Sequence, residues 1–112
     1  MKMTINEIRT VIRRAAWVRN DFSGIHEEFI AQPVATILEA KIAELNSLVI
    51  PARFAQDIAD RDMEITNCLR VIGRWVAAKE GRAPRSMTRE QYEEAGRIAL
   101  ASSTYVNTAG HA

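Results

Sequence analysis

Apolar residues recur every three or four positions through most of this chain, the spacing of helices that bury one face, and not in the alternation of strands. Ile5, Ile8, Val11, Ile12, Ala15 and Val18 make the first such stripe, extended by Phe22. Thr4-Ile5-Asn6-Glu7 stands ahead of it as a capping box, in which the Thr4 hydroxyl and the Glu7 carboxylate satisfy each other's free backbone N–H groups. The pattern predicts a helix over about 4–20, stopped by Asn20 to Gly24. A second pattern runs over about 26–49, with Val34, Ile37, Leu38, Ile42, Leu45, Leu48 and Val49 as its stripe and Glu39 and Glu44 toward its edges or back. Pro33 interrupts it, so the chain either starts a new helix there, with the proline in its first turn, or kinks one continuous helix.

Pro51 suits the start of a third helix over about 52–80, striped by Phe54, Ile58, Ile65, Cys68, Leu69, Ile72, Trp75 and Val76 and capped by Gly81. At 1.5 Å per residue this helix would be about 40 Å long, the backbone of the fold. Thr88-Arg89-Glu90-Gln91 is a second capping box, with Met87 and Tyr92 placed as a hydrophobic staple, and opens a fourth helix over about 88–102. Its inward positions Tyr92, Ala95, Gly96 and Ala99 are mostly small, which predicts close approach to a neighbour, little burial and the weakest of the four helices. Residues 103–112 have no period and are expected to fray. The expectation is a single all-α domain spanning residues 1–112, a four-helix bundle-like fold around a long antiparallel hairpin of helices two and three.

If that hairpin turns at residues 50–52, Leu48 lies opposite Phe54, Leu45 opposite Ile58 and Leu38 opposite Ile65. Lys41 and Arg61 then fall inside the two apolar stripes and face one another, with acids close by. This predicts a structural polar layer in which Asp57 and Asp62 neutralise Lys41 and Arg61, Asp57 also pairing with Arg61 one turn along the helix.

Composition adds bounds. With 112 residues, 47% hydrophobic and 26% charged, the chain can bury a core of its own and lies far from the disordered regime. A lone cysteine, Cys68, allows no internal disulfide and fits a reducing, cytoplasmic setting; as a residue of the core face it reads as a small hydrophobe and not as a nucleophile. No secretory signal or membrane-spanning run is visible. The net charge of +1 hides a strong division: residues 1–20 carry five basic and one acidic side chain, 21–64 three basic and nine acidic, and 65–112 seven basic and four acidic. The opposite signs either offset one another within the monomer or leave a bipolar surface for a charged partner or a second copy.

Signatures of catalysis are missing. His26-Glu27-Glu28 lacks the second histidine of a zinc helix, there is no glycine-rich phosphate loop, and neither a metal nor another cofactor is expected. Glu27, Glu28, Asp57, Asp60 and Glu64 do not follow the paired order of an all-helical, metal-dependent nucleotide pyrophosphohydrolase, which leaves that reading as a distant third. The better lead is the first helix, where Trp17 projects away from the apolar stripe with Arg13 and Arg14 beside it, either covered by the fourth helix or the tail in cation–π packing or exposed as a hot spot of the kind enriched where proteins bind one another. Together with Arg9, these residues predict a non-enzymatic protein-binding adaptor, regulator or inhibitor, with self-association a further possibility. Lys79, Arg82, Arg85 and Arg89 form a second basic cluster, which reads first as solvated loop charge and otherwise as a phosphate grip that joins the first cluster on nucleic acid, the second choice of partner.

Overall fold

The computed structural model describes residues 2–23, 32–79 and 87–101, which hold four helices: α1 (Ile5–Ser23), α2 (Gln32–Asn46), α3 (Ala55–Lys79) and α4 (Arg89–Ala101). The fold is all-α. Both capping boxes form: Thr4 N donates to Glu7 Oε1 at 3.0 Å and Glu7 N to Thr4 Oγ1 at 3.2 Å, while Thr88 N donates to Gln91 Oε1 at 2.7 Å and Gln91 N to Thr88 Oγ1 at 3.2 Å. Each box removes two of the donors a helix start leaves unpaired. α2 is described from Gln32 onward, and the choice between a helix opened by Pro33 and a longer one kinked there falls on residues 24–31, outside the described residues. The expected helical stretch before Gln32 and the tail beyond Ala101 lie outside the described residues, as do the side chains of Phe22 and Val34.

The connector between α2 and α3 is longer than the sequence pattern predicts. Ser47 Oγ donates to the Glu44 carbonyl at 2.6 Å and Leu48 N turns back to the Leu45 carbonyl at 3.2 Å, closing α2 at Asn46. Phe54 N then donates to the Pro51 carbonyl at 2.9 Å, so Pro51 opens a turn and α3 starts three residues later than expected, with Ile58 N on the Phe54 carbonyl. Val49, expected inside, sits in this connector and is 88% exposed. Ile37 is also exposed, because it lies about 100° round α2 from the line through Leu38, Ile42 and Leu45. Glu39, on the opposite flank, is buried where the pattern places it at an edge or the back.

The helices alternate in direction. Arg9 and Arg19 of α1 bond Asp57 and Glu64 of α3 in the same order, so α1 and α3 run parallel. Ile8 and Leu45 share one core cluster, and Val18 packs with Leu38 in the other, so α2 returns antiparallel to α1. The first cluster holds Ile8, Ala15, Leu45 and Leu48; the second holds Leu38, Ile42, Cys68, Leu69, Val71 and Ile72, and Ile65 packs against both. On α3, Cys68, Leu69, Val71, Ile72 and Gly73 are all buried, a run that only a helix covered on several sides can sustain.

α4 supplies the last of that cover, and its contact with α3 is the most extensive between any two described helices. A Cβ added at Gly73 would stand 1.8 Å from the Tyr92 carbonyl oxygen, and one at Gly96 would stand 1.9 Å from that of Leu69. The backbones therefore touch where each helix has glycine, and Ala77, Ala95 and Ala99 pack around the crossing. Close approach follows the small residues as predicted. The expectation that α4 would be the weakest element does not hold, since small side chains gain backbone contact for what they lose in area.

Leu38 and Ile65 pack in one cluster as expected, but Phe54 and Ile58 belong to neither cluster. Arg61 Nη1 lies 3.4 Å from the Leu48 carbonyl, while Leu38 and Ile42 lie at the level of Cys68 to Ile72. The connector thus runs beside the first two turns of α3 before α2 meets it, a shift of about two turns from an immediate fold-back.

Candidate functional site

The four arginines of α1 divide by direction. Arg9 and Arg19 turn toward α3, each gripping one carboxylate with two nitrogens: Arg9 Nε and Nη2 donate to Asp57 Oδ1 and Oδ2 at 2.8 and 3.1 Å, and Arg19 Nε and Nη2 donate to Glu64 Oε2 and Oε1 at 2.5 and 3.2 Å. Buried carboxylates need such partners, because an unpaired charge out of water is far costlier than a paired one. The Arg9 hydrogen bonds hold the Asp57 carboxyl below the usual carboxylate range. Arg9 also lies 5.9 Å from the centre of the Phe54 ring, which Arg53 approaches at 4.8 Å. Cys68 Sγ lies 3.5 Å from Glu64 Oε2, and burial together with that carboxylate pushes the thiol up to about 12. A thiol so far from its thiolate is a poor nucleophile or metal ligand.

These pairs replace most of the expected polar layer, of which the Arg61–Asp62 pair alone forms. Asp57 is taken by Arg9, not by Lys41 or by Arg61 one turn away. Lys41 approaches Glu44 at 3.6 Å on its own helix, while Arg61 pairs with Asp62, its neighbour in sequence, at 2.6 Å. The register shift is the cause: Lys41 sits level with the second core cluster and Arg61 beside the connector, so the two do not meet. The expectation omitted Arg19 and Glu64, although each stands four residues from a buried small residue on its own helix, Ala15 and Cys68. That spacing was the available signal.

Arg13 and Arg14 face outward on α1, and Trp17, one turn further, is 68% exposed. Among the described residues no acid pairs with either arginine, and α4 does not cover the indole. Beside them Arg9, Ile12 and Arg13 face Asp57 and Asp60 across a cleft of about 320 Å³ between α1 and α3. The register set by the two arginine pairs puts Arg13 level with Asp60 and Trp17 level with Met63, itself 58% exposed. Arg9 belongs to this edge but is committed to Asp57. Arg89 is exposed at the start of α4, near the level of Val76, roughly 20 Å along α3 from the level of Trp17. Arg89 is thus not brought to the α1 face; Arg82 and Arg85 lie outside the described residues.

Among the described residues no three His, Cys, Asp or Glu side chains converge as a metal site would require, and no helix is long and apolar enough to cross a membrane. Glu27 and Glu28 lie outside the described residues. No family model matches the chain, and neither a curated protein nor a solved structure does. The α1 face therefore stands on its own geometry.

Proposed function

We propose that this chain is a non-enzymatic protein-binding module of the cytoplasm, an adaptor, regulator or inhibitor, acting through the outer face of α1 with Trp17 as anchor and Arg13 and Arg14 as its charged rim. One observation carries this reading: an indole two-thirds exposed, one turn from two arginines that no described acid neutralises. Covering such a side chain removes roughly 150 Å² from water, worth on the order of 3–4 kcal/mol, and Trp and Arg dominate interface energetics. A non-enzymatic role is supported by the engagement of Asp57 and Glu64 with arginines and by the protonated, buried state of Cys68.

The same arginines would serve a nucleic-acid reading, but Asp60 stands across the cleft from Arg13 and repels a phosphate backbone. Capture from source-cell lysate by the native chain and by Trp17→Ala tests the proposal. Loss of a specific protein from the variant, with its helical circular dichroism intact, is the expected result. An unchanged set of captured proteins defeats it, and salt-dependent binding to random oligonucleotides that disappears in Arg13→Ala/Arg14→Ala would favour nucleic acid instead.

A further inference from the structure

The face that carries Trp17 is more than a basic patch. It continues across the cleft onto α3, and the charge changes sign on the way: Arg13 on the α1 flank, Asp60 on the α3 flank. Two large apolar side chains, Trp17 and Met63, stand exposed at one level of this pair of parallel helices, and Ala59, also exposed, leaves room beside them. Asp60 accepts a hydrogen bond from Gln56 Nε2 at 2.9 Å, a neutral partner that leaves its charge uncompensated.

We infer that a second copy of this chain docks on the α1/α3 face, about a two-fold axis running along the helix pair. Such an axis, lying in the plane between two facing surfaces, exchanges the flanks and preserves the levels. The basic flank of each copy meets the acidic flank of the other, with Arg13 facing Asp60 and Trp17 lying over Met63. An isologous contact needs a self-complementary surface, and one divided lengthwise into opposite charges meets that condition. A nucleic acid or a uniformly acidic partner would match only one flank. The inference rests on the reading of the α1 face as a protein-binding surface, and it names the partner.

Sedimentation equilibrium of the full chain over a wide concentration range provides the test. The native chain is expected to form a dimer that weakens with added salt. Arg13→Asp alone and Asp60→Arg alone should each raise the dissociation constant about tenfold or more, since coupling between close interfacial charges exceeds the 1.4 kcal/mol that a factor of ten represents. Mixing these two variants in equal amounts should restore association, because one carries Asp at both positions and the other Arg at both. Circular dichroism of each variant separates lost docking from lost fold, and Met63→Ala gives a second, neutral probe. A native chain that stays monomeric throughout, a dimer indifferent to both charge reversals, or a mixture that fails to reassociate overturns the inference. A monomer whose lysate partners still depend on Trp17 would remove self-docking and leave the protein-binding reading in place. A dimer lost in Trp17→Ala with unchanged lysate partners would do the opposite.

Discussion

Gly96→Ala is expected to lower the thermal midpoint of this domain by roughly 10 °C. The added Cβ would sit 1.9 Å from the Leu69 carbonyl oxygen and 2.7 Å from its carbon, and both are main-chain atoms of a helix that cannot swing aside as a side chain would. Overpacked cores lose about 1–3 kcal/mol, and a clash with backbone belongs at the upper end of that range. Alanine's better helix propensity returns about 1 kcal/mol at most. Ile98→Ala, on the exposed side of the same helix, serves as the control and should move stability by no more than about 0.5 kcal/mol. Thermal melts followed by circular dichroism compare the two, and an unchanged midpoint for Gly96→Ala would mean that α3 and α4 do not touch at this crossing.

The second large effect belongs to Arg19→Met. The Glu64 side chain is 6% exposed, and Arg19 is its bidentate partner, so the substitution leaves a shielded carboxylate without a cation. Removing one member of a buried pair costs roughly 3–5 kcal/mol, whereas replacing both members with apolar residues is often neutral. Urea midpoints should therefore fall sharply for Arg19→Met and recover most of the loss in Arg19→Met/Glu64→Leu. For comparison, Arg97 pairs with Glu93 at 2.9 Å and with Glu94 on the surface of α4, where removing the cation should cost at most about 1 kcal/mol. Equal losses for Arg19→Met and Arg97→Met would contradict the burial assigned to the α1/α3 pair.

What the sequence makes legible here is local. Both capping boxes, the apolar stripe of α1 and the small face of α4 depend on residues within a turn or two of one another, and the structure realises each. Interhelical partners are less accessible. The parallel packing of α1 on α3 brings Arg9 to Asp57 across 48 positions, and no periodicity within either helix encodes that pairing. The α2/α3 register depended on where the chain turns, and two hydrogen bonds, Ser47 Oγ to the Glu44 carbonyl and Phe54 N to the Pro51 carbonyl, lengthen the connector at both ends. Gly73 shows the same limit. A single mid-helix glycine reads only as a weak helix former until the Tyr92 carbonyl is placed against it.

The candidate face was half legible. Projection of α1 separates Trp17 and Arg13 from the stripe of Ile8, Ile12 and Ala15, and this is how the helix lies. The acidic flank was not recognised, because Asp57 and Asp62 were assigned to Lys41 and Arg61 inside the bundle. With Arg9 on Asp57 and Arg61 on Asp62, Asp60 of α3 is left outward beside Arg13, and the single basic patch becomes a surface of two signs.

Quenching of Trp17 fluorescence tests most directly whether this face is open. In a Trp75→Phe variant diluted until it is monomeric, Trp17 is the sole indole, and its surroundings give two expectations. Acrylamide should quench it nearly as well as it quenches free tryptophan amide, and iodide should quench it far better than caesium, because Arg13 and Arg14 draw the anion toward the ring. An indole shielded from acrylamide, or one quenched equally by both ions, would mean that Trp17 is covered or stands apart from the arginines, and the binding face described above would not exist.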